Sequence, residues 1–139
     1  MRIVVDTNVL VSALKTHAGN CATILDLAIE GDLALCADQR ILDEYERVCG
    51  EPRLKLDPQA VRIVLGFLRA TAERVVPHPL ELLLPDPDDL PFLEVAARVE
   101  AALITGNKKH FPASACRTVK VFSPAEFVEA LRRSPPPRA

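Results

Sequence analysis

No stretch of this 139-residue chain approaches the roughly 18 consecutive apolar residues of a membrane span, so no membrane contact is expected. No basic region leading into a long apolar stretch precedes the first strand-like residues, and a secretory leader is not expected. The four cysteines, Cys21, Cys36, Cys49 and Cys116, form no C-x-x-C pair, which leaves zinc and redox motifs unsupported. They read as buried free thiols of a reducing cytosol, so a cytoplasmic protein is expected. There is no G-x-x-x-x-G-K-[ST] loop and no G-x-G-x-x-G, which disfavours nucleotide-binding folds of those kinds. A G-x-S-x-G nucleophile elbow is also missing. Positive charge is not in excess, with 17 Lys and Arg against 19 Asp and Glu and a net charge of −2. That argues against coating nucleic acid by bulk charge. It leaves a nuclease open, because bound cations offset clustered acids and a local basic patch can hold phosphates.

What is present suits one soluble domain, with 49% apolar and 26% charged residues and length for one core. Strand-like and helix-like stretches alternate. Residues 2–5, 33–36, 74–76, 102–105 and 119–122 read as strands. Residues 9–15, 20–30, 39–49, 58–72, 90–99 and 124–133 read as helices. Gly31 is a C-terminal stop. Asp38 and Asp57 are N-caps, and Ser123-Pro124-Ala125-Glu126 is a capping box. The α/β alternation predicts a central parallel sheet of about four or five strands with helices on both faces. Ser134 to Ala139, rich in proline, is expected to be a disordered tail.

Ile3-Val4-Val5-Asp6-Thr7-Asn8 is the most informative segment. A buried β-branched strand ends in a carboxylate, where side chains of an open α/β sheet project into the ligand crevice. A lone acid there could merely cap the next helix, so the question is which acids could meet it. Glu44 flanks the apolar stripe Ile41, Leu42, Tyr45, Val48 and Cys49, and a carboxylate at a core edge needs a partner or a metal. Arg40 and Arg47, four before and three after it, offer a plain surface alternative. Asp86, Asp88 and Asp89 crowd the start of a buried helix, more acids than a cap needs. Thr105-Gly106-Asn107 repeats the arrangement at Asp6. A set of hard oxygen ligands suits magnesium or manganese. His17, His78 and His110 read as surface residues, although His110 with Lys108 and Lys109 offers a small basic patch.

With these residues in view, the chain resembles the PIN-domain nucleases. It is most similar to their small prokaryotic branch, which includes toxins of type II toxin–antitoxin pairs of the virulence-associated protein C type. The resemblance runs from Met1 to about Leu131. It rests on Val4 to Leu10, on Ile41-Leu42-Asp43-Glu44-Tyr45, on Asp86-Pro87-Asp88-Asp89 with Phe92-Leu93-Glu94 and Ala96, and on Ile104 to Phe111. It implies one PIN-like domain over residues 1–133. It also implies a metal-dependent endoribonuclease that cuts single-stranded RNA. The family's acids carry over to Asp6, Glu44 and Asp89, as catalytic residues and as ligands of one or two Mg2+ or Mn2+ ions. A fourth acidic position falls at Asn107, an amide, and Asp88 offers the missing charge. Thr7, Asn8 and Thr105 would hold the carboxylates in place. Lys108, Lys109 and Arg40 are candidate RNA phosphate contacts. A cognate antitoxin and a homodimer are the expected partners, with the contact placed on the first two helices through Val9, Leu10, Val11, Leu14, Ile24, Leu25, Leu27 and Ile29.

Two other readings stand beside this one. A haloacid-dehalogenase-like phosphatase also has an Asp after its first strand, but Asn8 and Leu10 depart from that pattern. A catalytically weak or inactive module that binds RNA or a partner is the other, and Asn107 is its support.

Overall fold

The computed structural model describes residues 1–135. The expectation of a disordered tail falls largely on residues 136–139, outside the described residues. Among the described residues, five parallel strands form one sheet. They are β1 (Arg2–Val5), β2 (Ala34–Ala37), β3 (Glu73–Arg74), β4 (Ala102–Ile104) and β5 (Val121–Phe122), in the order β3-β2-β1-β4-β5. The helices are α1 (Thr7–Lys15), α2 (Asn20–Glu30), α3 (Gln39–Cys49), α4 (Pro58–Thr71), α5 (Leu90–Val99), the short α6 (Ala113–Cys116) and α7 (Pro124–Arg133).

The burial pattern explains the layering. Successive strand side chains point to opposite faces. Ile3, Val4 and Val5 are nevertheless all buried, as are Leu103 and Ile104. Both faces of the sheet are therefore covered, as crossover helices require. Each such side chain contributes about 1.5–3 kcal/mol by leaving water. On one face α5 packs on β1, β2 and β4. Val5 and Leu35 line a wall with Val9, Leu10 and Ile24 of α1 and α2.

Helix ends follow local chemistry. Asp38 accepts the Ile41 N–H at 3.1 Å and Asp57 accepts that of Gln59 at 3.0 Å. Ser123 and Glu126 complete the capping box in both directions. Gly31 ends α2 at φ 87°, a conformation that glycine adopts without a steric cost.

The strand order matters most for function. The chain builds outward from β1 through β2 to β3, then returns to the other side of β1 for β4 and β5. β1 and β4 are neighbours, with Val5 opposite Ile104. Their carboxyl ends flank the point where the winding reverses, which is where open α/β sheets bind ligands. Asp6 follows β1 and Thr105 follows β4.

Candidate functional site

Asp6 sits at the first of these strand ends and is only 5% exposed. Its Oδ2 accepts from Thr105 Oγ1 at 2.7 Å and from Asn8 Nδ2 at 3.3 Å. Thr105 in turn accepts the Asn107 N–H at 3.0 Å. Asn8 Oδ1 accepts the Gly106 N–H at 3.0 Å, so the two strand ends are stitched together. A Cβ on Gly106 would lie 3.2 Å from that same Oδ1, so a larger residue there would push the Asn8 side chain back by a few tenths of an ångström.

Glu44 reaches the site from α3. Tyr45, its neighbour, is fully buried and donates its hydroxyl to the Val5 carbonyl at 2.5 Å, which pins α3 against the end of β1. Glu44 Oε2 then accepts from the Thr7 hydroxyl. Arg47 Nη2 lies 3.9 Å from Glu44 Oε1 and is mostly exposed, so the surface pairing is a loose addition to the inward contact.

Asp89 comes from the turn Pro87–Asp89 before α5 and is 8% exposed. Its Oδ2 meets His110 Nδ1 at 2.9 Å, and His110 Nε2 meets Asn107 Nδ2 at 3.0 Å. The amide can only donate to Nε2, so this network puts the imidazole proton on Nδ1, facing Asp89. Asp86 accepts the Asp88 N–H at 3.0 Å. Ligand atoms of Asp86, Asp89 and His110 all lie within 4.8 Å of one another, and among the described residues this is the tightest such group. Asp6 and Glu44 are not members of that group.

Burial and mutual repulsion act on these acids together. Burial raises the Asp6 carboxyl above its ordinary range, opposed by the Thr105 hydrogen bond and aggravated by Asp86. Burial also raises Glu44, with further repulsion from Asp6 and Asp88. Asp89 is pushed up to about 6, first by burial, then by Asp6 and Asp86. No lysine or arginine bridges Asp6 or Asp89 among the described residues; the histidine is the partner of Asp89. Crowded carboxylates without a cationic side chain are what a metal ion would relieve. The oxygen donors of Asp6, Glu44, Asp86, Asp88 and Asp89 fit a hard divalent ion. Asn107 spends its amide on His110, and its oxygen remains a neutral donor.

A family model of the PIN domain matches residues 2–109. The chain belongs to the PIN domain family. An uncharacterized protein of Methanocaldococcus jannaschii is 28% identical over 146 residues, covering 96% of this chain and 93% of that protein. The crystal structure of VapBC2 from Rickettsia felis, bound to a DNA fragment from their promoter, contains a similar chain. The TM-score is 0.58 at 16% identity, covering 88% of this chain and 98% of that one. At that identity the likeness concerns the fold.

Set on this PIN fold, the sequence-derived residues divide clearly. Asp6, Asn8, Thr105 and Asn107 are joined by hydrogen bonds across the ends of β1 and β4, Asp89 is linked to Asn107 through His110, Glu44 is bonded to Thr7, and Asp88 lines one groove with Glu44. The Arg40 guanidinium is half-exposed and already paired with carboxylates. Its Nε and Nη2 grip Asp38 at 2.9 and 2.6 Å, and its Nη1 grips Glu94 at 2.8 Å. Lys108 pairs with Glu126 at 3.0 Å, while Lys109 is exposed. His110 is not a plain surface residue, because Asp89 and Asn107 hold both ring nitrogens. Its signal was available in the three-residue spacing from Asn107, which one 3₁₀ turn brings round. Glu94 was also missed. It is a charged residue on the buried side of α5, only 5% exposed, whereas Arg98 on the same helix is exposed.

Of the four thiols expected to be buried and free, Cys36, Cys49 and Cys116 are buried and Cys21 is half-buried, and all four are free. Burial pushes Cys36 up to about 12 and Cys49 to about 11, far from a reactive thiolate at neutral pH.

Proposed function

We propose that this PIN-domain protein is a metal-dependent endoribonuclease acting on single-stranded RNA, and the toxin of a toxin–antitoxin pair. The observation that carries the nuclease reading is the meeting of buried carboxylates at the β1–β4 strand ends with no lysine or arginine to neutralise Asp6 or Asp89. In this reading Asp6, Glu44 and Asp89 hold one or two Mg2+ or Mn2+ ions, and Asp86, Asp88, Asn107 and His110 are positioned to assist. When bound, such an ion activates water and offsets charge on the leaving oxygen of a phosphodiester. The chain's own groups set up that chemistry. Thr105 and Asn8 fix the Asp6 carboxylate, and Thr7 fixes Glu44. His110 orients Asp89 and leaves it ionisable. An open groove of about 470 Å³ runs past Arg40, Glu44, Arg47, Pro87 and Asp88, and gives an extended strand access from one side. Arg47, three residues after Glu44, and Lys109, two residues after Asn107, are exposed cations that suit phosphate contact.

The toxin part rests on the resemblance to proteins of the virulence-associated protein C type and on the fold shared with VapBC2. An antitoxin partner, a homodimer and a cytoplasmic location belong to the same reading. Membership of the PIN family leaves the phosphatase alternative without support. The inactive-module alternative rests on Asn107, an amide that hydrogen-bonds His110 and brings no charge to the site.

Cleavage of a single-stranded RNA with Mg2+ or Mn2+, abolished by a chelator, is the expected result. Asp6→Asn should lower the rate by about 100-fold or more, equivalent to about 2.7 kcal/mol of barrier. A variant that cuts as fast as the parent would sink this reading.

A further inference from the structure

We propose that Glu94, which lies outside the acidic crevice, is a positioning residue that sets the spacing of Glu44, Asp86 and Asp89. The proposal rests on the metal-site reading above. Its basis is the hydrogen bonding of one buried carboxylate. Glu94 Oε1 accepts from Arg40 Nη1 at 2.8 Å, and Oε2 accepts the Leu80 N–H at 2.7 Å. Arg40 is anchored in turn by Asp38, whose other oxygen caps α3 at Ile41. Three segments therefore converge on Glu94. α3 carries Glu44 one turn after Arg40. α5 carries Glu94 five residues after Asp89. The extended segment 75–86 is caught at Leu80 and delivers Asp86 to the site.

Stability alone is a poor reason for this arrangement. Its neighbours Phe92, Leu93, Val95 and Ala96 on α5 are all buried and apolar. An apolar residue at 94 would suit such surroundings, and replacing a buried ion pair by apolar groups is often neutral or stabilising. The carboxylate does something a leucine could not. It satisfies a backbone N–H in a segment without regular structure and a guanidinium on a different helix. The segment 75–86 makes no helix or strand; Val75 and Leu84 anchor it in the core, Val76 and Leu83 are almost fully exposed, and between those anchors the Leu80 N–H is held by Glu94. A glutamine at 94 cannot replace both contacts. It has one accepting oxygen for two donors, and its NH2 would face a donor.

The test reads Mn2+ binding to the RNA-free protein by isothermal titration calorimetry, with thermal unfolding and amide exchange alongside. Glu94→Gln should bind Mn2+ about fivefold more weakly, below the roughly tenfold or larger losses seen when direct partners of ligands are removed. Exchange at Leu80 should quicken. Arg40→Met, at a half-exposed position, should weaken Mn2+ binding similarly and serves if Glu94→Gln does not fold. The double variant should be no weaker than the worse single one, because both act through one contact. Parent-like Mn2+ affinity in the folded variants, even with a lowered Tm, would overturn the positioning role and leave the nuclease reading standing. Failure of the parent to bind Mn2+ at all would overturn both.

Discussion

Taking a carboxylate out of water destabilises the fold that contains it, and Asp6, Glu44 and Asp89 all show this as carboxyls that burial raises above their ordinary range. The sign of the pH dependence follows. A carboxyl near 6 in the folded state and near 4 when unfolded takes up a proton on folding between those values. The metal-free protein should therefore lose stability as pH rises from about 4 to about 6, with Asp89 contributing most clearly. Thermal unfolding in chelator should show a higher Tm at pH 5 than at pH 7. A shift of about 3 °C would correspond to about 1 kcal/mol in a domain of this size. Asp6→Asn should raise the Tm of the metal-free protein at pH 7 and remove most of the further rise produced by Mn2+. A metal-free parent that is more stable at pH 7 than at pH 5 would contradict this account of the site.

At the scale of elements, much was legible because local chemistry decides it. Asp38, Asp57 and Ser123 cap the helices the sequence assigns to them, and Gly31 stops α2. Ser123→Ala should lower stability by about 1 kcal/mol, read as a lower denaturation midpoint at unchanged slope, because it removes one half of the capping box. The edge strands were less legible. Residues 74–76 read as a strand, yet the element is Glu73–Arg74, although the Val75 N–H still reaches the Ala37 carbonyl at 3.1 Å. Pro77 offers no donor to prolong the ladder. The stretch 119–122 shrinks to Val121–Phe122 for a related reason, since β4 is only three residues long and gives it little to pair with. At the site, the acids could be named from the chain, because strand ends and helix starts place them. The contacts of Glu94 with Leu80 and of His110 with Asp89 could not. They depend on which distant backbone and side-chain groups arrive beside them, 14 and 21 residues away at Leu80 and Asp89.

For the whole molecule, the open question is what covers the outer surface of α1 and α2. Eight apolar residues there looked like more than one packed face requires. The fold uses part of that surplus itself, since Val9, Leu10 and Ile24 are core residues. Val11, Leu14, Leu25 and Leu27 are half-buried, and Ile29 is exposed. A standard interface takes about 800 Å² from each partner. That is about a tenth of the 8057 Å² surface of this chain, an area two short helices can supply. A symmetric pair is the commonest assembly for a soluble chain, and two crevices side by side would lengthen the track for an RNA strand. The proposed homodimer should appear by light scattering at tens of micromolar. Leu14→Glu should then yield a monomer with an unchanged circular dichroism spectrum, because a half-buried position lets the carboxylate turn outward to water. A monomeric parent would remove the dimer. A Leu14→Glu variant that loses its helical signal would show instead that Leu14 serves the core, leaving the dimer to a different surface.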